Sequence, residues 1–287
     1  MTVTLKSALR TAREKFKACG IVSAALDAEA LLSHVTGLDR AALYSELNRP
    51  LGNDETAQFN NLASRRLSGE PVAYITGHKE FMGLDFFVSR AVLIPRPETE
   101  QLAETALKIL PSSPVVIDVG AGSGAIAVSL AFYNREALVY ATDRSGEALE
   151  VARRNAVRHD VSDRILLYQG DLLQPLKVCL DAGRTDLVAA NLPYIAERDI
   201  PNLPGEVRMF EPQLALNGGA DGLEHYRRLI PEAESFLKRD GFLLLEIGWD
   251  QGRGAAALFD AQVWEAKVLQ DLAGHDRLVV ARLRCEK

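Results

Sequence analysis

The sequence predicts an α/β fold, with a seven-stranded, doubly wound sheet preceded by a small all-α domain. Three observations carry this. Up to about residue 70, apolar residues recur only at helical spacing. Beyond Pro114, short apolar runs alternate with amphipathic helical stretches, as in a mostly parallel sheet covered on both faces. A glycine-rich loop follows the first of those runs, and open sheets of this kind bind ligands at such strand ends.

The first helical stripe is Leu5, Ala8, Leu9, Ala12 and Phe16, with Gly20 as its stop. Ala28, Leu31, Leu32 and Val35 form a second, closed by Gly37. Phe59, Leu62, Ala63 and Leu67 form a third, with Asp54 near its start and Gly69 at its end. Residues 1–70 are therefore expected to be a helical bundle. Residues 71–93 change texture: Val72 to Ile75 and Leu84 to Val88 are β-like, with Gly77 and Gly83 between them. A β-hairpin linker is expected there. Residues 94–287 form the remaining domain. In Ile94-Pro95-Arg96-Pro97-Glu98-Thr99-Glu100 the prolines interrupt regular structure, and Pro97, Glu98 and Glu100 suit the start of a helix running to about Leu110.

Strands are expected at Val115–Val119, Leu138–Thr142, Arg164–Tyr168, Asp186–Ala190 and Phe242–Ile247. Helices are expected from about Ala125 to Phe132 and Glu147 to Val157, and along Leu223, Tyr226, Leu229, Ile230, Ala233, Phe236 and Leu237. Pro231 should kink or split the last of these. One further helix precedes two β-like runs, Val263–Leu269 and Arg277–Leu283, close enough in the chain to pair antiparallel.

The 287 residues carry a formal net charge of −6 and are 47% hydrophobic and 25% charged. This is an ordinary soluble composition. An acidic balance disfavours stable binding to a phosphate backbone. Cys19, Cys179 and Cys285 are scattered, so neither a disulfide framework nor a zinc site is readable. The five histidines are far apart, and no metal is expected. The N-terminus lacks the apolar core of a secretory signal, and no apolar run approaches the ~18 residues of a membrane span. A monomer in the cytoplasm is expected.

The residues that carry chemistry cluster at strand ends. Asp118-Val119 leads into Gly120-Ala121-Gly122-Ser123-Gly124, where glycines let the backbone approach a ligand closely. Asp143 ends the next strand, about 20 residues on, where a carboxylate can accept both ribose hydroxyls. Gly120, Gly122 and Ala125 also satisfy a dinucleotide-binding pattern, so the loop alone leaves a nicotinamide enzyme open. The third and fourth strands also end in polar residues, Asp171 and Asn191.

Asn191-Leu192-Pro193-Tyr194 directly follows the fourth strand. In isolation the four residues suit a strand cap and turn. At a strand end two from that of the glycine loop they suit a planar nitrogen. An amide or aryl amino nitrogen is a poor nucleophile because its lone pair is delocalised. The Asn191 carboxamide oxygen and the Leu192 carbonyl can each accept one of its N–H groups, and Tyr194 can pack against its flat face.

The compact Gly-Ala-Gly-Ser-Gly after an aspartate resembles the first motif of S-adenosylmethionine-dependent methyltransferases. The Asn191 motif resembles the Asn-Pro-Pro-Tyr signature of amino and amide nitrogen methyltransferases. Other stretches narrow the likeness: Arg66 to Gly77, Ile94 to Glu100, Glu211-Pro212, Asp221-Gly222-Leu223 with Tyr226, and Leu244-Leu245-Glu246-Ile247-Gly248. Together they resemble the peptide chain release factor glutamine methyltransferases over nearly the whole chain.

The resemblance implies a Rossmann-like seven-stranded methyltransferase sheet with S-adenosylmethionine as cofactor. The acceptor it implies is the glutamine of the Gly-Gly-Gln motif in class-I release factors, methylated on N5. Cofactor contacts carry over to Gly120, Ala121, Gly122, Ser123, Gly124, Asp143, Asp171, Leu172 and Asn191. Catalytic and acceptor contacts carry over to Asn191, Leu192, Pro193 and Tyr194. The helical domain is implied to help hold the release factor.

Leu192 replaces the family's first proline. The backbone carbonyl survives, the locked φ does not, and Pro193 still biases residue 192 to extended geometry. Three rival readings are a ribosomal-protein glutamine methyltransferase, an adenine N6-methyltransferase on nucleic acid, and a non-catalytic binding protein on the same fold.

Overall fold

A computed structural model of the chain describes residues 2–285. They divide into two compact units. One comprises residues up to 78 together with 205–210, and the other residues 79–204 with those from 211 onward.

The first unit holds α1 (Leu5–Ala18), α2 (Ala24–Thr36), α3 (Arg40–Ser45), α4 (Asn53–Leu67) and α5 (Val72–Thr76). The predicted stripes supply its core: Leu5, Leu9, Phe16, Leu31, Leu32 and Phe59 are buried together, with Leu43 of α3 among them. Thr4 and Ser7 close a capping box on α1, and Gly37 ends α2 in the left-handed conformation. Asp27, Glu29, Arg66 and Glu70 are charged residues buried in this unit. Arg66 donates to Asp27 at 2.6 Å and pairs with Glu206 at 3.0 Å.

The second unit opens with the hairpin strands β1 (His78–Phe81) and β2 (Leu84–Phe87), followed by α6 (Pro97–Ile109). The alternation then runs β3 (Val115–Val119), α7 (Ala125–Tyr133), β4 (Leu138–Asp143), α8 (Gly146–Arg158), β5 (Ile165–Gln169) and β6 (Thr185–Ala190). A short α9 (Gly205–Phe210) belongs to the first unit. The chain ends with α10 (Glu224–Phe236), β7 (Leu237–Glu246), α11 (Gly252–Ala256), β8 (Trp264–Gln270) and β9 (Asp276–Leu283).

The seven strands lie in the order β5-β4-β3-β6-β7-β9-β8. β3 to β7 are parallel, and β9 runs antiparallel to both β7 and β8. Each face buries its own apolar layer. Leu102, Ile126, Leu130, Val139 and Leu187 lie in one, and Ile117, Val188, Tyr226, Leu229 and Leu243 in the other.

One expectation fails, one is narrowed, and Leu237 opens β7, where it pairs with Thr185, rather than ending the preceding helix. Val72 to Thr76 is helical, although its residue types favour strands. Pro71 caps it and Gly77, in the left-handed conformation, ends it, so terminal signals override β propensity over five residues. Hairpin pairing begins at His78 instead. Pro231 does not split α10, which runs unbroken from Glu224 to Phe236. Tyr226, Leu229 and Ile230 on one side of the proline and Ala233 and Phe236 on the other are all buried against the sheet, which offsets the lost backbone hydrogen bond.

Candidate active site

Sheet register assembles the site. Val119 pairs with Thr142 on one side and Ala190 on the other, and Ala190 pairs in turn with Leu245. The residues one step beyond these strand positions are Gly120, Asp143, Asn191 and Glu246, which therefore line up in neighbouring rows. A cleft at this edge is lined by Gly120, Ala121, Gly122, Ser123, Asp143, Asp171, Leu172, Asn191, Leu192 and Pro193. Its empty space is about 1090 Å³ counting the open mouth. Gly124 and Tyr194 are not part of this lining.

The glycine loop is shaped by its own hydrogen bonds. Gly120 and Ala121 both donate to the Thr142 carbonyl, at 2.8 and 2.9 Å. Gly120 has φ +79°, and a Cβ there would sit 2.9 Å from Leu192 Cδ2. Gly124 starts α7 with φ +77°, and a Cβ there would press on Ala152 of α8 at 3.1 Å. Its glycine requirement is helix packing behind the cleft.

Asp143 accepts from Gly122 N–H through Oδ2 and from Ser145 N–H through Oδ1, each at 2.8 Å. A carboxylate has about four lone-pair sites, so acceptor capacity remains for a ligand. Burial pushes its pKa above the ordinary range, against the pull of those N–H groups. Asp118, fully buried beneath the loop, accepts the Ala127 N–H of α7 at 3.0 Å. Burial raises its pKa to about 7. The amino end of α7 is thus already capped by an internal carboxyl group, which disfavours the pyrophosphate a nicotinamide dinucleotide would place there.

Asp171 lines the cleft with its carboxylate paired to Arg228 and with Arg144 Nε at 3.9 Å. Leu172 is buried at φ +48°, a backbone conformation that leucine adopts only under constraint.

At the acceptor side, Asn191 Nδ2 donates to Thr99 Oγ1 at 3.0 Å. Thr99 is the third residue of α6 and only 4% exposed. The Tyr226 hydroxyl donates to the Glu246 carbonyl and lies 3.3 Å from the Leu192 carbonyl. Because that hydroxyl has one proton, the Leu192 carbonyl keeps acceptor capacity for a ligand. Tyr194 lies outside the residues that line the cleft. It packs against the sheet-face core, and its hydroxyl reaches Glu246 Oε1 at 3.4 Å. Gln251 Nε2 holds the Tyr194 carbonyl at 2.8 Å. Glu246 is fully buried, and burial raises its pKa to about 7. The same burial raises the phenols of Tyr194 and Tyr226, which stay protonated.

Arg96 caps α6, lines the cleft and pairs with Glu211. Sequence reading gave no role to Thr99, Glu246 or Gln251. Glu246 did carry a signal: it is a carboxylate ending an otherwise apolar strand.

Comparison with known proteins agrees with this arrangement. The PrmC N-terminal domain matches residues 7–77, and a methyltransferase domain matches residues 111–271. A release factor glutamine methyltransferase of Moorella thermoacetica is 44% identical, covering 99% of this chain and 100% of that protein. One from Nitratidesulfovibrio vulgaris is 43% identical over 97% and 95%. The chain belongs to the release factor glutamine methyltransferase family. A solved transferase from Pyrococcus horikoshii shares the fold, with TM-score 0.50 and 15% identity over 73% of this chain and 72% of that one.

S-adenosylmethionine is the cofactor of this methyltransferase, and the cleft fits it. Asp143 lines the cleft as a carboxylate acceptor of the kind a ribose would require, and no Cβ at Gly120 blocks approach to the loop. Thr142 Oγ1 is buried without a partner among the described residues. No helix of the described residues is long and apolar enough to cross a membrane.

Proposed function

We propose that this chain transfers a methyl group from S-adenosylmethionine to the side-chain amide nitrogen of the glutamine in the Gly-Gly-Gln motif of class-I peptide chain release factors. The observation that carries the reading is the placement of Asn191 and the Leu192 carbonyl one strand from Gly120, with both carbonyl oxygens able to accept. Identity of 43% and 44% over nearly the full length to proteins named for this reaction supports the same acceptor.

Bound S-adenosylmethionine supplies an electrophilic methyl group. Gly120 to Gly124 and Asp143, with Asp171 and Leu172 on the same wall, hold it. Asn191 Oδ1 and the Leu192 carbonyl each accept one N–H of the glutamine amide. This fixes the nitrogen and aims its lone pair for in-line displacement, a reaction that depends on positioning and preorganised dipoles. Pro193 keeps residue 192 extended, so its carbonyl stays directed. Tyr194 and Gln251 anchor the motif from behind. The nitrogen becomes acidic once methylated and cationic, and its proton passes to water without a strong base.

We read the protein as a monomer, in keeping with an acceptor that is a protein rather than nucleic acid. The purified chain, given labelled S-adenosylmethionine and separately a release factor, a ribosomal protein and duplex DNA, is expected to label the release factor alone. Label on the ribosomal protein or the DNA with none on the release factor would refute the assignment.

A further inference from the structure

We propose that Thr99 and Glu246 act as positioning residues that fix the Asn191 carboxamide with its oxygen, not its NH2 group, toward the acceptor. This rests on the reading of Asn191 as a hydrogen-bond acceptor for the substrate amide.

The oxygen and nitrogen of a carboxamide are nearly the same size, so only hydrogen bonds decide which way it faces. The wrong choice is severe here. With NH2 toward the cleft, Asn191 would meet the acceptor amide donor to donor. Something buried must therefore have a definite polarity, and the contacts behind Asn191 supply one.

Asn191 Nδ2 lies 3.0 Å from Thr99 Oγ1. A threonine hydroxyl can serve either orientation, accepting from NH2 or donating to the carbonyl oxygen. What removes the choice is Glu246. Register sets it beside Asn191 through the Ala190–Leu245 pair, and α6 packs across β6 and β7 so that Thr99 faces both. Glu246 Oε2 is buried and has no hydrogen-bond partner among the described residues, so it is free to accept the proton of a neighbouring hydroxyl. In this relay the Thr99 hydroxyl is that donor, an interaction that also favours the charged form of Glu246. The Tyr194 hydroxyl approaches Oε1 at 3.4 Å, also as a donor. An ionised carboxylate can only accept. With its proton turned to Glu246, Thr99 offers only lone pairs to Asn191. Asn191 then presents NH2 backward and its oxygen forward. The direction of every bond follows from one buried charge, two residues removed from the substrate.

Thr99, 4% exposed, and Glu246, 1% exposed, are both shielded from water that could otherwise satisfy either arrangement. Neither needs to touch the substrate for this role.

The test compares methyl transfer to a release factor by wild type, Thr99→Val, Thr99→Ser and Asn191→Ala, with cofactor affinity measured by calorimetry on each. Thr99→Val keeps shape and removes the hydroxyl. It is expected to lower kcat by roughly 100-fold, the cost of a misdirected catalytic group, while cofactor affinity stays within about threefold. Thr99→Ser restores the hydroxyl and is expected to recover all but about fivefold of the rate. Wild-type turnover by Thr99→Val beside an inactive Asn191→Ala overturns the relay alone. A Thr99→Ser as slow as Thr99→Val overturns it too, because the hydroxyl would not be the operative group. An active Asn191→Ala overturns the reading of Asn191 and the relay with it.

Discussion

Asn191 and Asp143 stand at strand ends on either side of β3, yet their substitutions should separate cleanly. Asn191→Ala is expected to lower turnover by at least about 100-fold, as loss of a preorganised group does, with cofactor binding preserved. Asp143→Ala is expected to weaken cofactor binding instead; unchanged affinity by calorimetry would refute its ribose role. Leu192 adds a feature that its backbone carbonyl alone does not explain. Its side chain is buried at 6% exposure and packs over Gly120. Leu192→Pro keeps the carbonyl and restores a fixed φ, so turnover should stay level or rise. Stability should fall by about 1 kcal/mol from the shortened buried side chain. A large loss of turnover in that variant would contradict the role given to the carbonyl.

Glu246 makes the rate pH-sensitive in a stated direction. Arg277 and Tyr194 favour its charged form, while burial and Glu98 oppose it, and the Tyr226 phenol beside it stays neutral. With a pKa of about 7, the carboxylate that orients Thr99 is lost as pH falls through that value. The kcat–pH profile should therefore drop on its acid side near 7, and Glu246→Gln should flatten that limb. An identical limb in the variant would assign it to another group.

At the scale of elements, strand ends were the legible part. Five apolar runs and their polar terminators placed Asp143 and Asn191 correctly because parallel strands buried on both faces leave little ambiguity in pattern. Short elements were not legible. Val72 to Thr76 has strand-like residues and is a helix, and α3 was not anticipated because six residues give too short a periodicity. Thr99 was unreadable for another reason: its partners, Asn191 and Glu246, are distant in sequence, and only the sheet register joins them. The α7 cap gives a further test. Asp118 has its folded pKa raised to about 7, so between the ordinary carboxylate range and 7 the folded chain holds a proton that the unfolded chain has released. Its stabilising share is complete at low pH and is lost as pH rises through 7. Asp118→Asn should gain stability relative to wild type between pH 5 and pH 8 in urea unfolding. A constant difference across that range would show that Asp118 titrates normally.

For the whole molecule, the notable feature is a chain that leaves the catalytic unit after Pro204 and rejoins it at Glu211, having lent α9 to the helical unit. Glu206 on that excursion and Asp27 of α2 share Arg66, which is 6% exposed. Arg66→Met leaves Asp27 buried without its partner and should cost about 3 kcal/mol, read as a lower melting temperature. An unchanged melting temperature would show the pair to be dispensable. Nothing in the local sequence of 205–210 announced this excursion, because its partner lies some 140 positions earlier in the chain.

The central claim is that a glutamine amide, held by Asn191 and the Leu192 carbonyl, receives the methyl group. The most direct measurement is transfer of labelled methyl to a class-I release factor carrying either Gly-Gly-Gln or Gly-Gly-Ala in its motif. Label on the first and none on the second is predicted, with the modified residue located by mass spectrometry on that glutamine. Label that survives the Gln→Ala change would contradict the account.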